Sequence, residues 1–184
     1  MNSSQNYVDG FQIMSKINTH LDAQVFVNKY SFDIIEEYEI DKKTPWVNDL
    51  LVELEEDNDD EAEYPVATME IKAQITRKTN TFLNDHLIVR AQLTSHFHLP
   101  CGRCLFPLAQ ELELSLSAAF LHESQEKKPE YAEVTTVFAD GHEMELYFYK
   151  KGMADINEFI HEQIYIEVTP FPRCEGECKN PVLY

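Results

Sequence analysis

Apolar and polar positions alternate with a period of two along three stretches of the chain. Ala67, Met69, Ile71, Ala73 and Ile75 form the first apolar set, and Leu87, Val89, Ala91, Leu93 and Phe97, with Ser95 in phase, the second, ending at Pro100. Leu112, Leu114, Leu116, Ala118 and Phe120 form the third, against Glu111, Glu113, Ser115 and Ser117. Each reads as a strand with one buried face. The links between them are too short for parallel crossovers, so an antiparallel sheet is expected. Val134, Thr136 and Phe138, then Leu146 and Phe148, suggest a further hairpin turning at Asp140-Gly141. Val25, Val27 and Tyr30 suit an early strand.

Two segments change to helical spacing. Thr44-Pro45 is a helix opening, with Thr as N-cap and Pro where a missing N–H costs nothing. Val47, Leu50, Leu51 and Leu54 share a face, which predicts a helix over 45–55, with Trp46 packed on the core at its start. Asp155-Ile-Asn-Glu158 is a capping box, and Ile156, Phe159, Ile160 and Ile164 give the helix over 155–164 its apolar stripe. Residues 122–133 are polar and read as a loop.

Charge adds a division to this picture. Among 184 residues, 33 acids face 15 Lys and Arg, a formal charge of −18. Residues 1–65 carry 16 acids and 4 lysines, and eight of the eleven positions from Glu53 to Glu63 are acidic, so 56–64 is expected to be a solvated loop. The expected organisation is an acidic segment with strand and helix over 1–65, then a sheet domain over 66–184. A field of this sign repels phosphate backbones, leaving a local basic patch or a basic protein partner as routes to association. No apolar run approaches the roughly 20 residues of a membrane span. The first residues, Met1-Asn-Ser-Ser-Gln-Asn6, have neither a basic nor an apolar region of the kind that starts a secretory signal. A cytoplasmic address is therefore expected.

The chemistry lies in four cysteines, Cys101-Gly-Arg-Cys104 and Cys174-Glu-Gly-Glu-Cys178. A CxxC turn presents two sulfurs on one side, a CxxxC turn does so slightly wider, and two such half-sites give the all-sulfur shell that structural zinc accepts. Reducing compartments disfavour disulfides. Arg103, Arg173 and Lys179 flank the sulfurs and can offset four thiolates, and they double as a small basic contact surface. Two other readings remain. The cysteines can be buried unpaired thiols, or a redox pair, although a thioredoxin-like CxxC opens a helix and this one leads into a strand. His96 and His98 could replace a sulfur ligand, but their alternation favours the polar face of a strand. His161 is expected at the surface. Tyr147, Phe148 and Tyr149 are expected in the sheet core rather than as stacking platforms. No catalytic constellation stands out among the carboxylates, and GxxxxGK[ST], GxSxG and HExxH are absent.

Cys101-Gly-Arg-Cys104-Leu105, between two strands, resembles the C-x-R-C-L signature of the YceD family, the large ribosomal RNA subunit accumulation proteins. Pro170-Phe-Pro-Arg-Cys174 and Cys178-Lys179 are similar to that family's closing motifs, and the resemblance covers about residues 65–180. Family members often add a Gly-Leu-Cys and a further CxxCG where this sequence has Asn180-Pro-Val-Leu-Tyr184, a departure from the pattern, so any metal site is expected to use these four cysteines. The resemblance implies a non-enzymatic factor for large-subunit ribosomal RNA accumulation, and the acidic charge adds the expectation that it meets a large-subunit precursor through a basic ribosomal protein, or through pre-rRNA at the cations around the knuckle. It implies no small-molecule substrate. A thiol-redox protein and a generic acidic interaction module stand as alternatives. The expected fold is α+β: an antiparallel sheet, free to curl toward a barrel, with flanking helices and a zinc knuckle made by the four cysteines.

Overall fold

In the structure, a computed structural model describing residues 17–56, 58 and 64–178, the three alternating stretches become the long strands β3 (Thr68–Asn80), β4 (Asn84–Pro100) and β5 (Pro107–His122). They pair antiparallel in sequence order. Their alternating apolar residues, from Met69 through Phe97 to Phe120, point into one core. Before them come β1 (Gln24–Phe26), β2 (Ile35–Asp41) and α1 (Pro45–Leu54); after them come β6 (Thr136–Ala139), β7 (His142–Tyr149), β8 (Met153–Asp155) and α2 (Ile156–Glu167). The main sheet has the order β2-β3-β4-β5-β7-β6, and β1 pairs with β8 in a second, two-stranded sheet. The main sheet stays open and does not close into a barrel.

One pairing departs from an all-antiparallel sheet: β7 lies parallel to β5 over Ala118–His122. The connection through residues 123–141 is longer than the roughly dozen residues a parallel crossover needs, and it contains two 3₁₀ turns and β6. Those turns also change the polar loop expected at 122–133. Gln125 is buried, donating to the Leu83 carbonyl at 2.9 Å and accepting from Asn84 Nδ2 at 3.1 Å. β2 was not foreseen; its Tyr38 and Ile40 face the core while Glu37 and Glu39 point away. Most of the acidic loop expected at 56–64 lies outside the described residues.

The core explains the local sequence. Around Leu87-Ile88-Val89 and Ala118–Leu121 alternation gives way to continuous apolar residues, because both sheet faces are covered there. Ile88, Ala119 and Leu121 join Leu83, Ala139 and Met144 in a second cluster, with Tyr131 and Phe148 against it. Tyr147 faces the main core, its ring stacked on Phe120 at 5.3 Å and meeting Phe159 at 5.4 Å. Trp46 donates its indole N–H to the Leu21 carbonyl at 2.8 Å. Asp155 caps α2 by accepting from the Glu158 N–H at 2.8 Å. Thr44 occupies the N-cap of α1, but its side chain makes no capping bond; Val47 and Asn48 N–H groups reach its carbonyl instead. None of the described helices is long and apolar enough to cross a membrane.

The β6–β7 turn carries a measurable electrostatic contribution. Asp140 and Gly141 both have positive φ, 50° and 83°, the signature of a tight hairpin turn. The Asp140 carboxylate accepts from Lys78 on β3 and from Arg90 Nη2 on β4, the latter at 2.7 Å. Hydrogen bonds from Lys78 first, then Arg90, hold its pKa below the ordinary Asp value. A carboxyl depressed in the folded state contributes stability above the unfolded-state pKa, and that contribution is lost as pH falls through the folded value. Asp140→Asn keeps a residue tolerant of positive φ and removes the charge. At neutral pH it should cost about 1 kcal/mol, and denaturant curves of the two proteins should converge on acidification below the normal Asp range.

Candidate metal centre

The two cysteine half-sites lie far apart in sequence and meet at one end of the main sheet. The first fills the loop between β4 and β5, residues 101–106. There Cys101 donates its N–H to the Phe106 carbonyl at 2.9 Å, and Leu105 donates back to the Cys101 carbonyl at 2.9 Å. This closes a knuckle that points both sulfurs inward. Leu105 takes a left-handed φ of 57° to complete the turn, a conformation rare for a bulky residue. The second half-site is delivered by α2. After the helix ends, with the Val168 N–H bonded to the Ile164 carbonyl, the chain runs back to the first knuckle. Gly102 donates its N–H to the Pro172 carbonyl at 2.9 Å, and a Cβ on Gly102 would stand 3.6 Å from that of Phe171.

The four sulfurs of Cys101, Cys104, Cys174 and Cys178 all lie within 4.8 Å of one another. The Cys104 and Cys174 sulfurs are 3.6 Å apart. A disulfide requires about 2.05 Å, so these are four separate thiols. Zinc–sulfur bonds of about 2.3 Å place tetrahedral ligands about 3.8 Å apart, and the cluster matches that scale. It is therefore an arrangement that can hold a metal ion. Cys101 is completely buried and Cys104 nearly so, while Cys174 and Cys178 are half-buried.

The electrostatics of the cluster are unequal. The Arg103 backbone N–H, followed by those of Cys104 and Cys174, donates to the Cys101 sulfur, lowering its pKa from 9 to about 6. Burial pushes Cys178 up to about 11, helped by its contacts with Cys104 and Cys101. Backbone donors aimed at sulfur favour thiolate at Cys101. The crowding of four sulfurs resists ionising all of them together until a cation joins them. The pattern suits a cluster completed by a metal.

Of the cations expected around the sulfurs, Arg103 and Arg173 flank the knuckle, Arg103 exposed and Arg173 on the segment that meets it; Lys179 lies outside the described residues. Beside them are two exposed apolar side chains that sequence reasoning did not single out, Leu105 (63% exposed) and Phe171 (74%). Their signal was present in Cys104-Leu105 and Pro170-Phe-Pro172, where large apolar residues occupy tight turns that have no interior to bury them.

The histidines fall elsewhere. His98 is buried at 3% exposure, correcting its expected place on an open polar face. Its backbone N–H and Nδ1 meet Glu55 Oε1 at 2.8 and 3.2 Å, its carbonyl accepts from Asn58 Nδ2 at 2.8 Å, and Tyr64 covers its ring. His98 thus ties the end of α1 to β4 just before the first knuckle. His96 remains half-buried beside it. His161 is half-buried rather than on the open surface, bonded to Glu53 Oε1 at 3.0 Å and stacked on Tyr165, so it links the two helices.

A family model described as large ribosomal RNA subunit accumulation protein YceD matches residues 89–184, which span both cysteine half-sites. No curated protein and no solved structure matches the chain.

Proposed function

The chain belongs to the YceD family, and from that premise we propose that it is a non-catalytic cytoplasmic factor supporting accumulation of large-subunit ribosomal RNA. A structural zinc ion held by Cys101, Cys104, Cys174 and Cys178 pins the segment after α2 to the β4–β5 loop. The observation that carries this reading is the convergence of all four sulfurs, from half-sites 69 residues apart, in the region the family model covers. Zinc in an all-cysteine shell has no open position for substrate, so its contribution is architectural. A thiol-exchange role is disfavoured by the complete burial of Cys101, because exchange needs an accessible sulfur.

The knuckle presents Arg103 and Arg173 with Leu105 and Phe171 alongside, a cationic and apolar spot on an acidic molecule, and Lys179 follows the last cysteine in sequence. That combination suits a large-subunit precursor, meeting pre-rRNA through the cations or a basic ribosomal protein through the acidic surroundings. Sucrose-gradient sedimentation of cell extract tests it. The chain should travel with large-subunit precursors, and a variant with Arg103, Arg173 and Lys179 all changed to Ala should keep its metal yet move to the top of the gradient. Failure of the unaltered chain to travel with precursors would remove the ribosomal reading. Co-sedimentation unaffected by the triple change would remove the knuckle as the contact.

A further inference from the structure

β5 is paired along its whole length with β4, but on its other side β7 takes up only Ala118–His122. From Leu108 to Ser117 that side has no partner strand among the described residues. Ten residues at about 3.3 Å each make an open edge roughly 33 Å long, along which every second residue turns its N–H and C=O outward. The other margins of the main sheet differ. β6 is only four residues long, and β2 is met by Asn18, which donates to the Glu37 carbonyl and accepts from the Glu39 N–H.

The side chains along the β5 edge form two rows. Glu111, Glu113 and Ser115 are exposed on one face. On the other, Leu112, Leu114 and Leu116 pack against the main core but remain only partly covered. We propose that this edge is a docking site for an extended peptide segment of a partner protein, bound as an added strand, with Lys or Arg alternating with apolar residues.

Backbone pairing supplies affinity in such strand addition, and the two rows supply selectivity. Basic residues meet Glu111 and Glu113, while apolar ones extend the cover over Leu112 and Leu114. A second copy of the chain fits poorly. Antiparallel β5–β5 pairing sets glutamates among glutamates, a destabilising cross-strand arrangement, between molecules that each carry −18. Nucleic acid meets the same repulsion and offers no strand. The edge starts at Pro107, directly after the knuckle, so the added strand would continue from the Arg103 and Arg173 surface. The inference deepens the ribosomal reading by naming a surface for a basic protein partner, and rests on that reading only for the partner's identity.

The test uses the full chain and a fluorescein-labelled ten-residue peptide alternating Lys and Val, followed by anisotropy. Two counterparts are N-methylated at every Lys or at every Val, and a third replaces Lys by Glu. Binding of the parent peptide should slow amide exchange within residues 108–117. One of the N-methylated frames and the Glu peptide should bind at least tenfold more weakly, as should the parent peptide to the Glu111→Lys/Glu113→Lys variant. Equal binding of the parent and both N-methylated peptides, or protection confined to other residues, would overturn the proposal. So would a concentration-dependent dimer that protects the same ten residues without peptide. Loss of peptide binding with co-sedimentation intact would overturn the edge site and leave the ribosomal reading standing.

Discussion

Cys104→Ser should reduce bound zinc from about one ion per chain to less than a tenth, and should release the segment after α2 while leaving the sheet folded. The expected effect follows from what orders that segment. Residues 169–178 have no helix or strand of their own, and their backbone ties to the first knuckle include the bond from Gly102 to the Pro172 carbonyl and the Cys174 N–H donated to the Cys101 sulfur. Fixing ten residues costs on the order of 10–20 kcal/mol in backbone entropy, while each such hydrogen bond returns only about 1 kcal/mol. A structural zinc site returns about 10–16 kcal/mol, which is the right size. The sheet has independent support: the main apolar core runs from Leu21 to Ile164 without any cysteine. Amide exchange should therefore show residues 169–178 losing protection in Cys104→Ser, and in the unaltered chain treated with chelator, while β3 and β4 stay protected. Metal-free protein from a chelator-free purification, with those residues still protected, would defeat the zinc account.

The elements that were legible in the sequence are those in which one face is buried and the other wet. β3, β4 and β5 follow that rule over most of their length, so period two located them and their order. β2 obeys it too, through Tyr38 and Ile40, but Glu36, Glu37 and Glu39 surround those residues and the stretch reads as part of an acidic arm. Only pairing with β3 reveals it as an edge strand whose Glu37 and Glu39 face outward, while Glu36 shares the inner face and accepts from the Tyr38 hydroxyl. The parallel β5–β7 pair was hidden for a different reason. Alternation states that a strand exists, not which neighbour it chooses, and the deciding factor is the path of residues 123–141. His98 shows the limit of facial reasoning. It sits on the face opposite Phe97, as alternation requires, yet Glu55 at the C-cap of α1 and then Tyr64 cover that end of the sheet. The cysteine convergence was readable because a metal shell imposes local spacing at each half-site, independent of the residues between them. Its apolar rim, Leu105 and Phe171, was not, because exposure is a property of the folded turn.

Phe159→Ala should destabilise the protein by about 3–5 kcal/mol and weaken metal binding, although the residue is fifteen positions from the nearest cysteine. Phe159 is fully buried on α2, meeting Phe120 of β5 at 6.1 Å and Tyr147 of β7 at 5.4 Å. These ring contacts hold α2 against the sheet, and α2 aims Cys174 and Cys178 at the first knuckle. Truncating the ring leaves a cavity between helix and sheet that the rigid strands cannot close. The helix then docks less tightly, and more of the cost of bringing the second half-site to the first falls on the metal. Metal affinity should drop at least tenfold in competition with a chromophoric chelator. Phe148→Ala provides the contrast, since Phe148 packs in the second cluster on the opposite face of the sheet. It should lower thermal stability while leaving metal affinity within about twofold of the unaltered chain. Equal losses of affinity in the two variants would mean that global stability, rather than the seating of α2, sets the strength of the site.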